Sequence, residues 1–174
     1  MNKKQRKILY PSIFFIGLIL MAWQISIFRN TIIDSDILVS IVLITGLTTY
    51  ILDFSNYKKT YKYTGIYLHT YALMHYILGY GFIVCSTFML TNYYFADNKT
   101  ITKEFKIIER SSLPGRKHHR SERKPTFIIN YDGENKELVF SHEFYKNMET
   151  YNSIEFDVKN GYFGFEILEN KKLK

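Results

Sequence analysis

Residues Gly65 to Ala96, GIYLHTYALMHYILGYGFIVCSTFMLTNYYFA, run for thirty-two positions without an Asp, Glu, Lys or Arg. No loop of a soluble domain has this composition. A hydrocarbon core of roughly 30 Å is crossed by about 20 apolar residues in a helix. The stretch predicts a membrane-spanning helix over residues 66–95. Two shorter apolar runs precede it, and a chain of mixed, alternating composition follows.

The first run, Ile8 to Phe28, follows Lys3, Lys4, Arg6 and Lys7. A cleaved signal sequence has a charged start of this kind, but its apolar core spans about 7–15 residues and ends in small side chains. This run is twenty-one residues long and ends in Ser26-Ile27-Phe28-Arg29, so it reads as a retained helix over 8–28. Pro11 is expected in its first turn, where a missing N–H costs little. Trp23 is expected as an interfacial anchor. Arg29 to Asp36 is a short polar connection. The second run, Ile37 to Leu52, is short for a span, and the helix is extended to Phe54 with Asp53 reaching the interface. Lys58, Lys59 and Lys62 then alternate with Tyr57, Tyr61 and Tyr63. That pattern could stack nucleic-acid bases, but at the end of an apolar helix it reads as an aromatic belt with positive flanks.

The net charge of +7 is unevenly placed, +5 over residues 1–95 and +2 over 96–174. Most of the excess sits beside apolar runs, where it sets orientation, and no nucleic-acid partner is expected. Four positive residues precede the first helix and three lie between the second and third, against one between the first and second. The amino terminus is therefore expected in the cytoplasm. Three crossings of the inner membrane then leave residues 97–174 on the periplasmic or extracytoplasmic side. Cys85 is the single cysteine, which excludes an intramolecular disulfide and a thiolate zinc site.

Residues 97–174 predict a small all-β domain. Glu104–Glu109, Thr126–Tyr131, Glu137–Ser141, Ile154–Lys159 and Phe163–Ile167 read as strands, in a five-stranded barrel or curled meander. Asp132-Gly133 and Asn160-Gly161 supply hairpin turns. The expected core is Phe105, Ile107, Phe127, Ile129, Leu138, Phe140, Ile154, Phe156, Val158, Phe163, Phe165 and Ile167. His142 to Asn152 reads as polar-aromatic with a helical turn, and residues 111–125 as a basic loop.

Thr91-Asn92-Tyr93-Tyr94, Ile129-Asn130-Tyr131 with Lys136-Glu137-Leu138, and Gly161-Tyr162-Phe163-Gly164-Phe165 resemble stretches of a recurrent type of small Bacteroidetes membrane protein. That resemblance covers about residues 70–170. It implies three helices with a C-terminal β-domain, and no activity comes with it.

Three groups of residues are candidates for a site. The first is the basic loop with Arg116, Lys117, His118, His119, Arg120, Arg123 and Lys124, which could take an anionic ligand or lipid headgroups. It has no glycine-rich phosphate cradle, and a solvated loop is the plainer reading. The second is an intramembrane polar pair, Asp53 with His69. The third is a helix-packing stripe of Ala72, Gly79 and Ser86 at seven-residue spacing with His75 between them. It would let helices approach closely, either within the chain or in a second copy. His69 and His75 are six apart, too far around a helix for one metal. His118, His119, His142 and Glu143 are a weaker metal set. No metal, cofactor or catalytic motif is expected.

Two functions follow. One is a non-enzymatic membrane protein presenting its β-domain to a protein partner at the envelope, with immunity against a secreted toxin as a specific form. The other is a membrane effector whose cytoplasmic β-domain senses an anionic ligand and gates helix assembly. The latter resembles, in layout alone, the membrane-anchored barrels of antiphage defence. It requires an even number of crossings.

Overall fold

Residues 1–115, 117 and 120–174 are described by a computed structural model. The chain divides into two compact units. One is formed by Met1–Phe28 with Ile33–Tyr94, the other by Arg29–Ile32 with Phe95–Lys174.

The first unit holds three helices long and apolar enough to cross a membrane: α1 (Lys3–Arg29), α2 (Ser35–Thr60) and α3 (Gly65–Tyr94). α1 and α2 are each longer than their apolar runs. Asn2 and Gln5 exchange backbone-to-side-chain bonds of 2.9 Å, a reciprocal cap that starts α1 before its lysines. Pro11 consequently lies two turns inside α1 rather than in its first turn. The Asp34 carboxylate accepts from Asp36 N and caps α2. No Gly or Pro interrupts Ser55–Thr60, and Lys58 and Lys59 suit a last turn. Asp53 therefore sits about 10 Å inside the end of α2, seven residues at about 1.5 Å each, not at its boundary.

The central part of α3, His75–Gly81, is a π-helical segment. Its wider turn brings Tyr76, Gly79 and Gly81 all to the buried side. Glycines make this crossing. A Cβ at Gly17 of α1 would stand 2.3 Å from the Leu78 carbonyl oxygen, and one at Gly81 would stand 2.6 Å from that of Val42 on α2. Gly46 meets Ile77, and Gly79 meets Ile13 and Phe14. Ala72 and Ser86 are buried in the same unit, while His75 is half-buried.

The second unit is a five-stranded antiparallel sheet: β1 (Thr100–Leu113), β2 (Lys124–Tyr131), β3 (Glu134–Val139), β4 (Ser153–Asn160) and β5 (Glu166–Leu173), in the order β3-β2-β1-β4-β5. The long β1 serves two partners in succession. Thr100–Lys106 pairs with β4, and Ile107–Leu113 pairs with β2 across a register shift between Ile107 and Glu109. Such an irregularity bends a strand and increases its twist. Both arms contribute to one core, with Phe127, Ile129, Leu138 and Phe140 from one side and Ile154, Phe156, Val158 and Leu168 from the other.

The sheet does not close into a barrel. β3 and β5 are its two edges, with no ladder between them. The β5 edge is instead met by the connection between α1 and α2. Leu168 N–H donates to Asn30 O (2.7 Å), Ile32 N–H donates to Glu166 O (2.8 Å), and Thr31 opposes Ile167. From β3, Lys136 Nζ donates to Thr31 O at 2.6 Å.

The first hairpin turn is as expected, with Asp132 and Gly133 both at positive φ between Tyr131 and Glu134. The second is not. Asn160 pairs with Glu166, and residues 161–165 form a wider loop closed by Gly161 N–H to Phe165 O, with the positive φ supplied by Gly164. β5 starts later than expected, so Phe163 is 45% exposed and Leu168 enters the core.

Gly17→Ala should overpack the α1–α3 crossing and cost about 1–3 kcal/mol. The buried, single Cys85 reports it: thiol labelling in detergent should become faster and set in at lower temperature than in the unaltered chain.

Candidate functional site

The densest polar grouping of the helical unit is centred on Asp53. Tyr10 of α1 donates its hydroxyl to Asp53 Oδ2 at 2.6 Å, and Tyr76 from the π segment donates to the same oxygen at 2.9 Å. Asn56, one turn along α2, donates Nδ2 to Oδ1 at 2.7 Å. One carboxylate thus collects donors from three helices. A carboxylate among helices this apolar is expensive, and charge-assisted bonds offset that cost. Tyr10, Tyr57 and Tyr76 are fully buried around it. Their rings pack in tilted and edge-on pairs, Tyr10 on Tyr57 at 5.0 Å and Tyr10 on Tyr76 at 6.1 Å. Such pairs add to area burial because the ring edge meets the ring face.

The histidines take other partners. His69 Nδ1 lies 2.6 Å from the Tyr50 hydroxyl, and its ring stacks on Phe54 at 4.8 Å. His75 Nδ1 lies 2.8 Å from the Tyr71 carbonyl and 3.0 Å from the Tyr57 hydroxyl. A carbonyl can only accept, so Nδ1 of His75 carries a proton. Asp53 and His69 are held on the same stretch of α2 and α3 but through separate hydroxyls. The pairing expected from the sequence assumed that α2 ends near Asp53. The helix runs on to Thr60, so Asp53 is two turns deep, level with Tyr10. Depth counted from the true helix ends would have singled out Tyr10.

The β-unit has a polar grouping of its own. Lys103 of β1 donates Nζ to the Tyr131 hydroxyl (3.1 Å) and to Glu166 Oε1 (3.0 Å), and Tyr131 donates to Glu166. Burial, then the Glu166 carboxylate, pushes the Tyr131 phenol up to about 12. The Tyr131 hydroxyl, first, and Glu166 hold Lys103 above its ordinary value. These three side chains tie β1, β2 and β5 together. Beside them Lys136 and Lys171 are pushed down by burial. Lys171 Nζ donates to Asn30 Oδ1 at 2.8 Å, so both lysines hold the α1–α2 connection.

Of the basic loop, Arg116, His118 and His119 lie outside the described residues. Lys117 and Arg120 are exposed. Arg123 is engaged, with Nε donating to Ser112 Oγ at 2.9 Å and its carbonyl 2.8 Å from His142 Nδ1. Lys124 is exposed at the start of β2, opposite Leu113. Among the described residues, no three His, Cys, Asp or Glu side chains are grouped to hold a metal.

No family model, curated protein or solved structure matches the chain.

The geometry makes Asp53 a helix-locking group. Asp53→Ala strands two buried hydroxyls and should cost about 2–4 kcal/mol, against about 1.5–3 for Tyr10→Phe. In a double-mutant cycle followed by Cys85 labelling, Asp53 and Tyr10 should be strongly coupled, whereas Asp53→Ala and His69→Ala should add.

Proposed function

We propose that the chain is a non-enzymatic integral membrane protein that holds its small β-domain on the extracytoplasmic side of the inner membrane, where the domain engages a protein partner. The observation that carries this is the seating of Asn30–Ile32 on β5. It requires the first connection and the C-terminal domain to share one side of the membrane, as three crossings do. The positive residues in the first turns of α1 and around the end of α2 favour the cytoplasm for the opposite side. On that reading the domain is tethered twice, before α2 and after α3.

With the amino terminus in the cytoplasm, a cytoplasmic ligand sensor would need an even number of crossings, leaving one of the three helices outside the bilayer. The Gly17 crossing and the Tyr10–Asp53 bond count against it, because both build α1 into the same bundle as α2 and α3. Partner binding is supported by apolar side chains left in the open on β1, with Ile101 at 65% and Ile108 at 56% exposure. Immunity against a secreted toxin is one form such a role takes.

Alkaline phosphatase fused after Lys174 should be active, and a fluorescent protein at the same place dark. A bright, phosphatase-inactive pair would refute the orientation. A photo-crosslinker at position 101 or 108 in living cells should give a discrete adduct, and its absence from both would remove the partner surface.

A further inference from the structure

The chain passes into the β-unit twice, and both times it is bonded to the same end of the sheet. Asn30–Ile32, which leaves α1, lies on Glu166–Leu168, and Asp97, three residues after the end of α3, donates its N–H to Asn160 O at 2.9 Å. Between Asn160 and Glu166 lies the wide loop 161–165, closed on itself by Gly161 and Phe165. Its outward side chains are aromatic, with Tyr162 at 62% and Phe163 at 45% exposure. Phe95, the first residue beyond α3, is 69% exposed, and its ring meets Tyr162 edge-on at 6.2 Å. A shallow cleft of about 340 Å³ opens beside them, lined by Phe95, Asp97, Asn160 and Tyr162.

We propose that Phe95, Tyr162 and Phe163 form an interfacial seat, with the 161–165 loop resting in the headgroup layer of the bilayer that α1–α3 cross. This rests on the membrane reading above. The occupant follows from covalent geometry. Phe95 directly follows the last residue of a membrane helix, so its ring lies at the water–lipid boundary, and its partner Tyr162 is held within a ring's width of that level. Tyrosine and other aromatic side chains favour this depth, where an apolar body and a polar edge are both accommodated. A wide loop also explains what a tight Asn-Gly turn would not, since the extra residues carry the rings outward past the end of the strands.

The full chain in lipid nanodiscs tests this. Trp23 is its single tryptophan, so Trp23→Phe with Phe163→Trp places one indole in the loop, and Trp23→Phe with Tyr162→Trp provides a second probe. Lipids brominated near the headgroup end of the acyl chain should quench the loop indole at least about two-fold more than lipids brominated near the chain terminus, with little quenching by aqueous iodide. The unaltered chain is the control for the membrane reading. If Trp23 escapes bromolipid quenching, the spans themselves fail. If Trp23 is quenched and the loop indoles respond to iodide alone, the seat is refuted. Loop indoles shielded from both quenchers would assign the loop to a protein partner or a second copy, and would equally overturn the proposal.

Discussion

Three residues between two helices complete the sheet of the second unit. Asn30–Ile32 donates to and accepts from the edge of β5 at 2.7 and 2.8 Å, so the sheet is complete only when the α1–α2 connection lies on it. Edge strands are open to pairing with other chains, and this edge is covered from within. Lys136 and Lys171 bind the same segment through Thr31 O and Asn30 Oδ1. Both ammonium groups are drawn out of water there, which holds them below their ordinary range. Desolvation of this kind is sustained where the donors have acceptors in place.

The helical unit is fixed by two devices of different kinds. At mid-span, glycines let backbones meet, and the π segment turns Tyr76, Gly79 and Gly81 inward together. Helices apolar enough to cross a membrane would gain little drive to associate from lipid, and here close packing and interhelical hydrogen bonds join them. Nearer the end of α2, the Asp53 carboxylate joins α1, α2 and α3 through hydroxyl and amide donors. The first device sets how near the helices come, and the second sets their register along the axis.

Much of this was legible in the chain itself. Runs without charge gave three helices, and alternation gave five antiparallel strands. The helix ends were not legible, because Tyr57 and Lys58 are polar yet helical, and that error moved Asp53 by two turns and pointed to His69. Ser111 and Ser112 read as loop but extend β1, since pairing with Thr126 and Pro125 outweighs their weak strand preference. Asn160-Gly161 has the chemistry of a two-residue turn. Gly164 supplies the positive φ instead, and the strand shifts accordingly. The barrel expectation failed on topology: β1 changes partners at Ile107, which leaves β3 and β5 as separate edges. A three-residue pairing with a strand near the other end of the chain has no periodicity, so Asn30–Ile32 carried no signal at all.

The most direct measurement is a cross-link between Thr31 and Ile167, which oppose each other in an antiparallel bridge. Directly opposed residues there have Cα atoms about 4.5–5.5 Å apart, within the span of a disulfide. Thr31→Cys with Ile167→Cys, in a chain carrying Cys85→Ala and a protease site inserted between Tyr61 and Thr64, should oxidise in native membranes. Its two fragments should then stay joined on a non-reducing gel after cleavage. Fragments that separate, from a protein whose helices and sheet are otherwise intact, would contradict the account.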